Sequence, residues 1–187
     1  MTLGEGKRRV LMLLDEYSTG GEVSTDADIE LKMADFFDMA QKDLANYKRI
    51  IRSASLTRAG DSGSLIAWLL PADLSQVFRV WQGGVCSGGW AVVGDRLITR
   101  RTDDVTLEYF ALPASLGPDT PDSYEFELSE DAAACLPFFV AAQQLLPDLV
   151  VDCGAFYNTY LQMRSALDTS LPEGGFGSVR QALYGRR

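Results

Sequence analysis

The chain has 187 residues, 47% of them apolar, with 17 basic and 26 acidic side chains and a net charge of −9. That suffices for one ample core or two small linked ones, while no apolar run approaches the ~20 residues that a membrane-spanning helix needs. Histidine is absent, which excludes the usual general base, Ser-His-Asp and Cys-His catalysis, and every His-containing metal site.

Lys7 to Tyr17 reads as a short helix, with Val10, Leu13, Leu14 and Tyr17 on one face, ended by Ser18-Thr19-Gly20-Gly21. Thr25 to Asp28 supplies a cap and first-turn acids for a long second helix. Its stripe of Ile29, Met33, Phe36, Ala40, Leu44, Tyr47 and Ile51 steps by threes and fours, as in a bundle. Lys48, Arg49 and Arg52 are placed to complement its dipole.

The pattern changes after Arg52. Beyond a loop at 58–64, β-like runs are expected at 65–69, 76–81, 90–93, 96–100, 105–110 and 124–128, with Gly83-Gly84 and Gly88-Gly89 as hairpin punctuation. Helical character returns at Ser129. From there to Leu146 the chain is apolar on nearly every side, so a helix there must be buried all round, with Pro137 expected to kink it. Another helix is expected from about Asp152 to Asp168.

The fold class expected is α+β: a helical bundle from 1–52 and 129–168, with a small antiparallel β-sandwich or barrel-like domain, 56–128, inserted into it. Residues 169–187 lack a period and are expected as an extended tail. That tail keeps Phe176, Val179, Leu183 and Tyr184 as apolar anchors and ends in Arg186-Arg187. Spaced anchors with terminal cations predict docking on a neighbouring protein.

The charge is uneven along the chain. Residues 1–52 carry 8 basic and 10 acidic groups, 53–102 carry 5 and 3, 103–168 carry 1 and 12, and 169–187 carry 3 and 1. A protein that grips nucleic acid needs a concentrated basic face, which this distribution lacks. An acidic surface instead repels passing DNA or attracts a basic partner.

Chemistry-bearing motifs are few. Cys86, Cys135 and Cys153 are odd in number, widely spaced and without CxxC spacing, so they fit a reducing compartment and argue against structural zinc. Gly4-Glu-Gly6-Lys7 lacks full phosphate-loop spacing and is expected as a flexible N-terminus. Val10 to Leu14 is too short for the apolar core of a signal peptide. The acid pairs Asp15-Glu16, Asp103-Asp104 and Glu130-Asp131 fall at helix ends or turns, where caps and solvated groups are common. No catalytic, cofactor or metal site is therefore expected. The rival is an enzyme using carboxylates in a cleft between bundle and β domain, which requires two acids to converge across the two regions.

Several segments together carry a resemblance. They are Leu-Leu-Asp-Glu-Tyr (13–17), Asp-Ala-Asp-Ile (26–29), Leu-Pro-Ala-Asp-Leu (70–74), Tyr-Phe-Ala-Leu-Pro (109–113), Asp-Ser-Tyr-Glu-Phe-Glu-Leu (122–128), Leu-Pro-Phe-Phe-Val-Ala-Ala (136–142) and Phe-Tyr-Asn-Thr-Tyr (156–160). Over roughly 8–168 the chain resembles the head-to-tail adaptor, or connector, proteins of tailed bacteriophages. The resemblance implies a structural virion protein made in the host cytoplasm and placed at the neck. Its implied partners are the portal protein, a tail, tail-terminator or nozzle protein, and further copies in a ring of twelve. DNA would pass through that ring without sequence-specific binding. The resemblance implies no active-site residues and no cofactor, and another neck or tail-completion subunit is the alternative within it.

Overall fold

A computed structural model of the chain describes residues 1–14, 27–100, 102–145 and 153–171. These residues fall into two units, Met1–Ile50 with Leu112–Thr169, and Ile51–Ala111 with Ser170 and Leu171.

The first unit is helical. Helix α1 (Leu3–Leu13) starts at a capping box: Thr2 accepts from the Glu5 N–H, and the Glu5 carboxylate accepts from the Thr2 N–H. The Gly4-to-Lys7 stretch, expected as a flexible terminus, is thus the first turn of a helix. The chain continues with α2 (Ala27–Tyr47), α3 (Glu130–Ala133), α4 (Leu136–Leu145) and α5 (Cys153–Ser165). Helix α4 packs against α1, α2 and α5, which explains why its sequence is apolar on every side. The stretch expected as one kinked helix is two helices, and Pro137 is the second residue of α4. There its missing N–H would have no intrahelical acceptor anyway, so it starts a helix instead of bending one.

One core joins Leu3, Val10, Met33, Phe37, Leu44, Phe126, Leu136, Val140 and Tyr160. Gly6 is required where α1 crosses it: a Cβ there would lie 2.9 Å from Phe37 Cζ. The run 124–128, expected as a strand, contributes only one bridge, Thr2 to Glu125. Its Phe126 packs its ring 5.4 Å from that of Phe37, so its alternating pattern reflects a half-buried extended segment without a partner strand. Residues 112–128, read from sequence as the end of the β domain, group with the helices.

Polar contacts fasten this unit. Asp38 of α2 accepts from the Leu116 N–H at 2.9 Å, from Gln41 Nε2 at 3.2 Å and from Lys42 Nζ at 2.5 Å. Burial raises its pKa, but the hydrogen bonds from Lys42, the Leu116 N–H and Gln41 outweigh it and hold the carboxyl below its ordinary value. Gln41 Nε2 also donates to the Ala114 carbonyl at 2.7 Å, so one turn of α2 clamps the loop 114–116. The buried Tyr160 hydroxyl donates to Asp43, which Arg164 also approaches at 3.2 Å. Lys48 lies past the end of α2 and pairs with Asp131 at 2.5 Å, holding that carboxyl down to about 2.

The second unit contains β1 (Ile50–Ser55), whose first residue is the last of the first unit, β2 (Arg58–Ser62), β3 (Leu65–Leu69), β4 (Leu74–Gln82), β5 (Val85–Cys86), β6 (Trp90–Val93), β7 (Arg96–Thr99) and β8 (Val105–Ala111). They make two four-stranded sheets, ordered β1-β8-β4-β5 and β2-β3-β7-β6. Strand β4 runs antiparallel to β5 and β8, β3 to β2 and β7, and β6 to β7. Gly83 and Gly84, both at positive φ, make the β4–β5 turn. Arg52, expected to serve the dipole of α2, lies in β1 and pairs with Asp73, which also accepts from the Tyr109 hydroxyl at 3.0 Å.

The expected fold class is therefore wrong. The chain is not a helical bundle bearing a small β-sandwich or barrel insert: its β structure is eight strands in two separate antiparallel sheets among the described residues. The reason is local. Ile51 fits the stripe of α2 by spacing, yet the helix stops at Tyr47 and Ile50 and Ile51 open β1. The polar loop expected at 58–64 holds β2, and β5 is only two residues long.

Candidate functional site

The sheet β2-β3-β7-β6 has one closed and one open face. Residues paired across antiparallel strands share a face. Ile66 pairs with Thr99 and Trp68 with Leu97, and all four are buried. Trp68 Nε1 donates to Thr99 Oγ1 at 2.9 Å, so the closed face satisfies its own polar groups.

The open face is set by the same registers, one residue out of phase. Gly60 pairs with Ala67, Ala67 with Ile98, and Ile98 with Ala91, giving one row across all four strands. Three of those four positions carry at most a methyl group, so the row is low. Leu69, Arg96 and Val93 form the next row, and Leu65 and Arg100 border the other side. High borders around a low row make a groove of about 830 Å³. Leu65, Leu69 and Val93 are 40%, 45% and 63% exposed, well above the buried core.

The polar groups of the groove stand at its margins. Arg96 lies 3.7 Å from Asp95, with both side chains more than half exposed, so that pair holds it weakly. Asp61 is taken by Arg58 of the same strand at 2.6 Å. The edge strand β6, Trp-Ala-Val-Val, carries no charge, no proline and no bulge against β7. Those are the usual devices that keep a sheet edge from pairing with another chain. By contrast β2, at the opposite edge, carries both charge and a bulge.

Cys135 and Asp131, singled out from the sequence, are held in the helical unit. Cys135 is buried among the helices, and burial together with the nearby Asp131 pushes its thiol up, away from the reactive thiolate. Asp131, one of the paired acids, opens α3 and is tied to Lys48. Among the described residues no group of three His, Cys, Asp or Glu side chains is placed to hold a metal. The docking residues expected in the tail, Phe176, Val179, Leu183, Tyr184, Arg186 and Arg187, lie outside the described residues, as do Asp15 and Glu16.

The open face was not anticipated from sequence. The run Trp90–Val93 signals a strand, but the row Gly60, Ala67, Ile98 and Ala91 exists only through strand pairing. The one signal available was that both faces of Leu65–Leu69 and Trp90–Val93 are apolar, whereas a strand with one solvated face alternates with polar residues.

No protein-family model matches the chain, and no curated protein matches it.

Proposed function

We propose that this chain is a head-to-tail adaptor subunit of a tailed-bacteriophage neck, a structural protein that extends the DNA channel from portal to tail. The observation that carries the reading is where the resembling segments lie. Phe126 from 122–128, Leu136, Phe139, Val140 and Ala141 from 136–142, and Tyr160 from 156–160 belong to one core, with Phe156 packed against it. Three of the seven segments, distant in sequence, thus meet in one core.

The charge distribution adds support. By unit, residues 1–50 and 112–169 carry 8 basic and 19 acidic groups, while 51–111 carry 6 of each. An acidic surface lets the phosphate backbone slide past without being held. In this reading the ring has twelve copies, the portal lies on one side and a terminator or nozzle protein on the other, and the tail 169–187 docks on the portal.

The test is reconstitution with the portal of the same phage. Portal rings mixed with the chain should co-sediment and show an added ring in negative stain, and deletion of 171–187 should weaken that attachment while leaving the fold intact. Failure of the full chain to bind portal rings refutes the reading. Binding to a tail component without binding to the portal would reassign it to another neck or tail-completion subunit.

A further inference from the structure

Strand β6 is the outer strand of its sheet, hydrogen-bonded to β7 alone among the described strands. Residues along an antiparallel pair turn their N–H and C=O groups alternately toward the partner and away from it. Half of the backbone groups of β6 therefore point outward, and such a row is a template for another extended chain. We propose that β6 and the groove beside it bind an extended segment of another protein. That segment adds as a fifth strand to the four-stranded sheet and carries an acidic residue on either side of an apolar one.

Register and charge specify the guest. Side chains of an added strand alternate between the two faces of the sheet. A guest residue opposite Ala91 extends the low row of Gly60, Ala67, Ile98 and Ala91, where a large apolar side chain fits. Guest residues two before and two after it share that face and lie toward Arg96 and Arg100, which border the groove. These arginines are four residues apart, about 13 Å along an extended chain, as are the two guest acids. Both are exposed, and Arg96 stays 52% exposed despite its pair with Asp95. Asp61 also lines the groove, but Arg58 grips both its carboxylate oxygens, at 2.8 and 2.6 Å, and it lies on β2, at the far edge from β6. Gly88 and Gly89 present no side chain on the approach to β6, and a Cβ on either would meet nothing within 4 Å. A peptide suits this site better than a single-stranded nucleic acid. The low row has no ring on which a base could stack, the unit carries 6 basic and 6 acidic groups over 51–111, and a phosphate backbone cannot continue a strand ladder.

The probe is a fluorescein-labelled peptide with Glu-Val-Phe-Val-Glu at its centre and serines on both flanks. The pattern reads the same in both directions, so it suits a parallel or an antiparallel guest. Added to the full chain it should give saturable anisotropy and slow amide exchange within 90–93. The R96E/R100E variant, with an unchanged circular dichroism spectrum, should bind it at least about tenfold more weakly. That variant should instead bind the peptide in which lysines replace the two glutamates. A peptide N-methylated at all five central residues keeps its side chains but cannot donate to a ladder, and should not bind. The inference is overturned if the parent chain does not bind the peptide, if R96E/R100E binds it as well as the parent does, or if the N-methylated form still binds. It is equally overturned if oligothymidylate displaces the labelled peptide more readily than the unlabelled peptide does. No portal ring enters these measurements, so a failed portal reconstitution ends the adaptor reading and leaves this inference standing.

Discussion

Removing the Asp38 carboxylate isolates the clamp between α2 and the loop 114–116. In Asp38→Ala the Leu116 N–H loses its acceptor at 2.9 Å beside a leucine that is only 7% exposed. A charge-assisted hydrogen bond lost from a partly buried donor costs about 2 kcal/mol. The Lys42 ion pair adds about 0.5 kcal/mol, discounted because the lysine is partly exposed. Gln41 keeps its bond to the Ala114 carbonyl at 2.7 Å, so its share is small. The sum, about 2.5 kcal/mol, corresponds to a fall of roughly 10–20 °C in the melting temperature of a unit of this size. Asp38→Asn retains an oxygen acceptor for the Leu116 N–H and should cost only about 1 kcal/mol. Far-UV circular dichroism reports the helical unit in heat and urea. An alanine variant within ~0.5 kcal/mol of the parent chain, or an asparagine variant as damaged as the alanine one, would refute the clamp.

Four further outcomes follow from the same geometry. Asp38 titrates below its ordinary value, so its contribution is fully present above the ordinary carboxylate range and is lost as pH falls through the depressed folded value; the stability gap between the parent chain and Asp38→Asn should close on acidification, and a gap that widens contradicts this. Gly6→Ala should destabilise despite alanine's advantage of about 1 kcal/mol in a helix, because the added Cβ would meet the buried Phe37 ring at 2.9 Å; a stabilised variant in urea titration would show that the ring yields. Leu44→Ala, at a fully buried position, should cost about 2–5 kcal/mol in the same titration, and a loss under 1 kcal/mol would place Leu44 outside the core. Thr99→Val removes the acceptor of Trp68 Nε1 and should cost about 1–3 kcal/mol, with a shift in tryptophan fluorescence; an unchanged spectrum and midpoint would count against that bond.

Local pattern accounts for much of this protein. The apolar stripe of α2 marked Met33, Ala40 and Leu44, all buried, because a 3.6-residue period is written directly in the order of residues. The runs at 65–69 and 90–93 became β3 and β6 with those bounds, since turn residues bracket them. The capping box at Thr2 and Glu5 is equally local, since both its partners lie within one turn. What tertiary structure decided are matters of partner. Whether 124–128 was a strand depended on a second strand lying beside it, and it has one bridge. Whether Pro137 kinked a helix or began one depended on where the preceding turn ended. Ile51 matches the period of α2, yet strand pairing claims it for β1. The groove is the clearest case. Gly60, Ala67, Ile98 and Ala91 come from four separate strands, and only the antiparallel registers place them in one row. The composition of each strand was legible alone, but the depth and border of the groove arise from side chains brought together across hydrogen-bonded neighbours, which no single run of sequence contains.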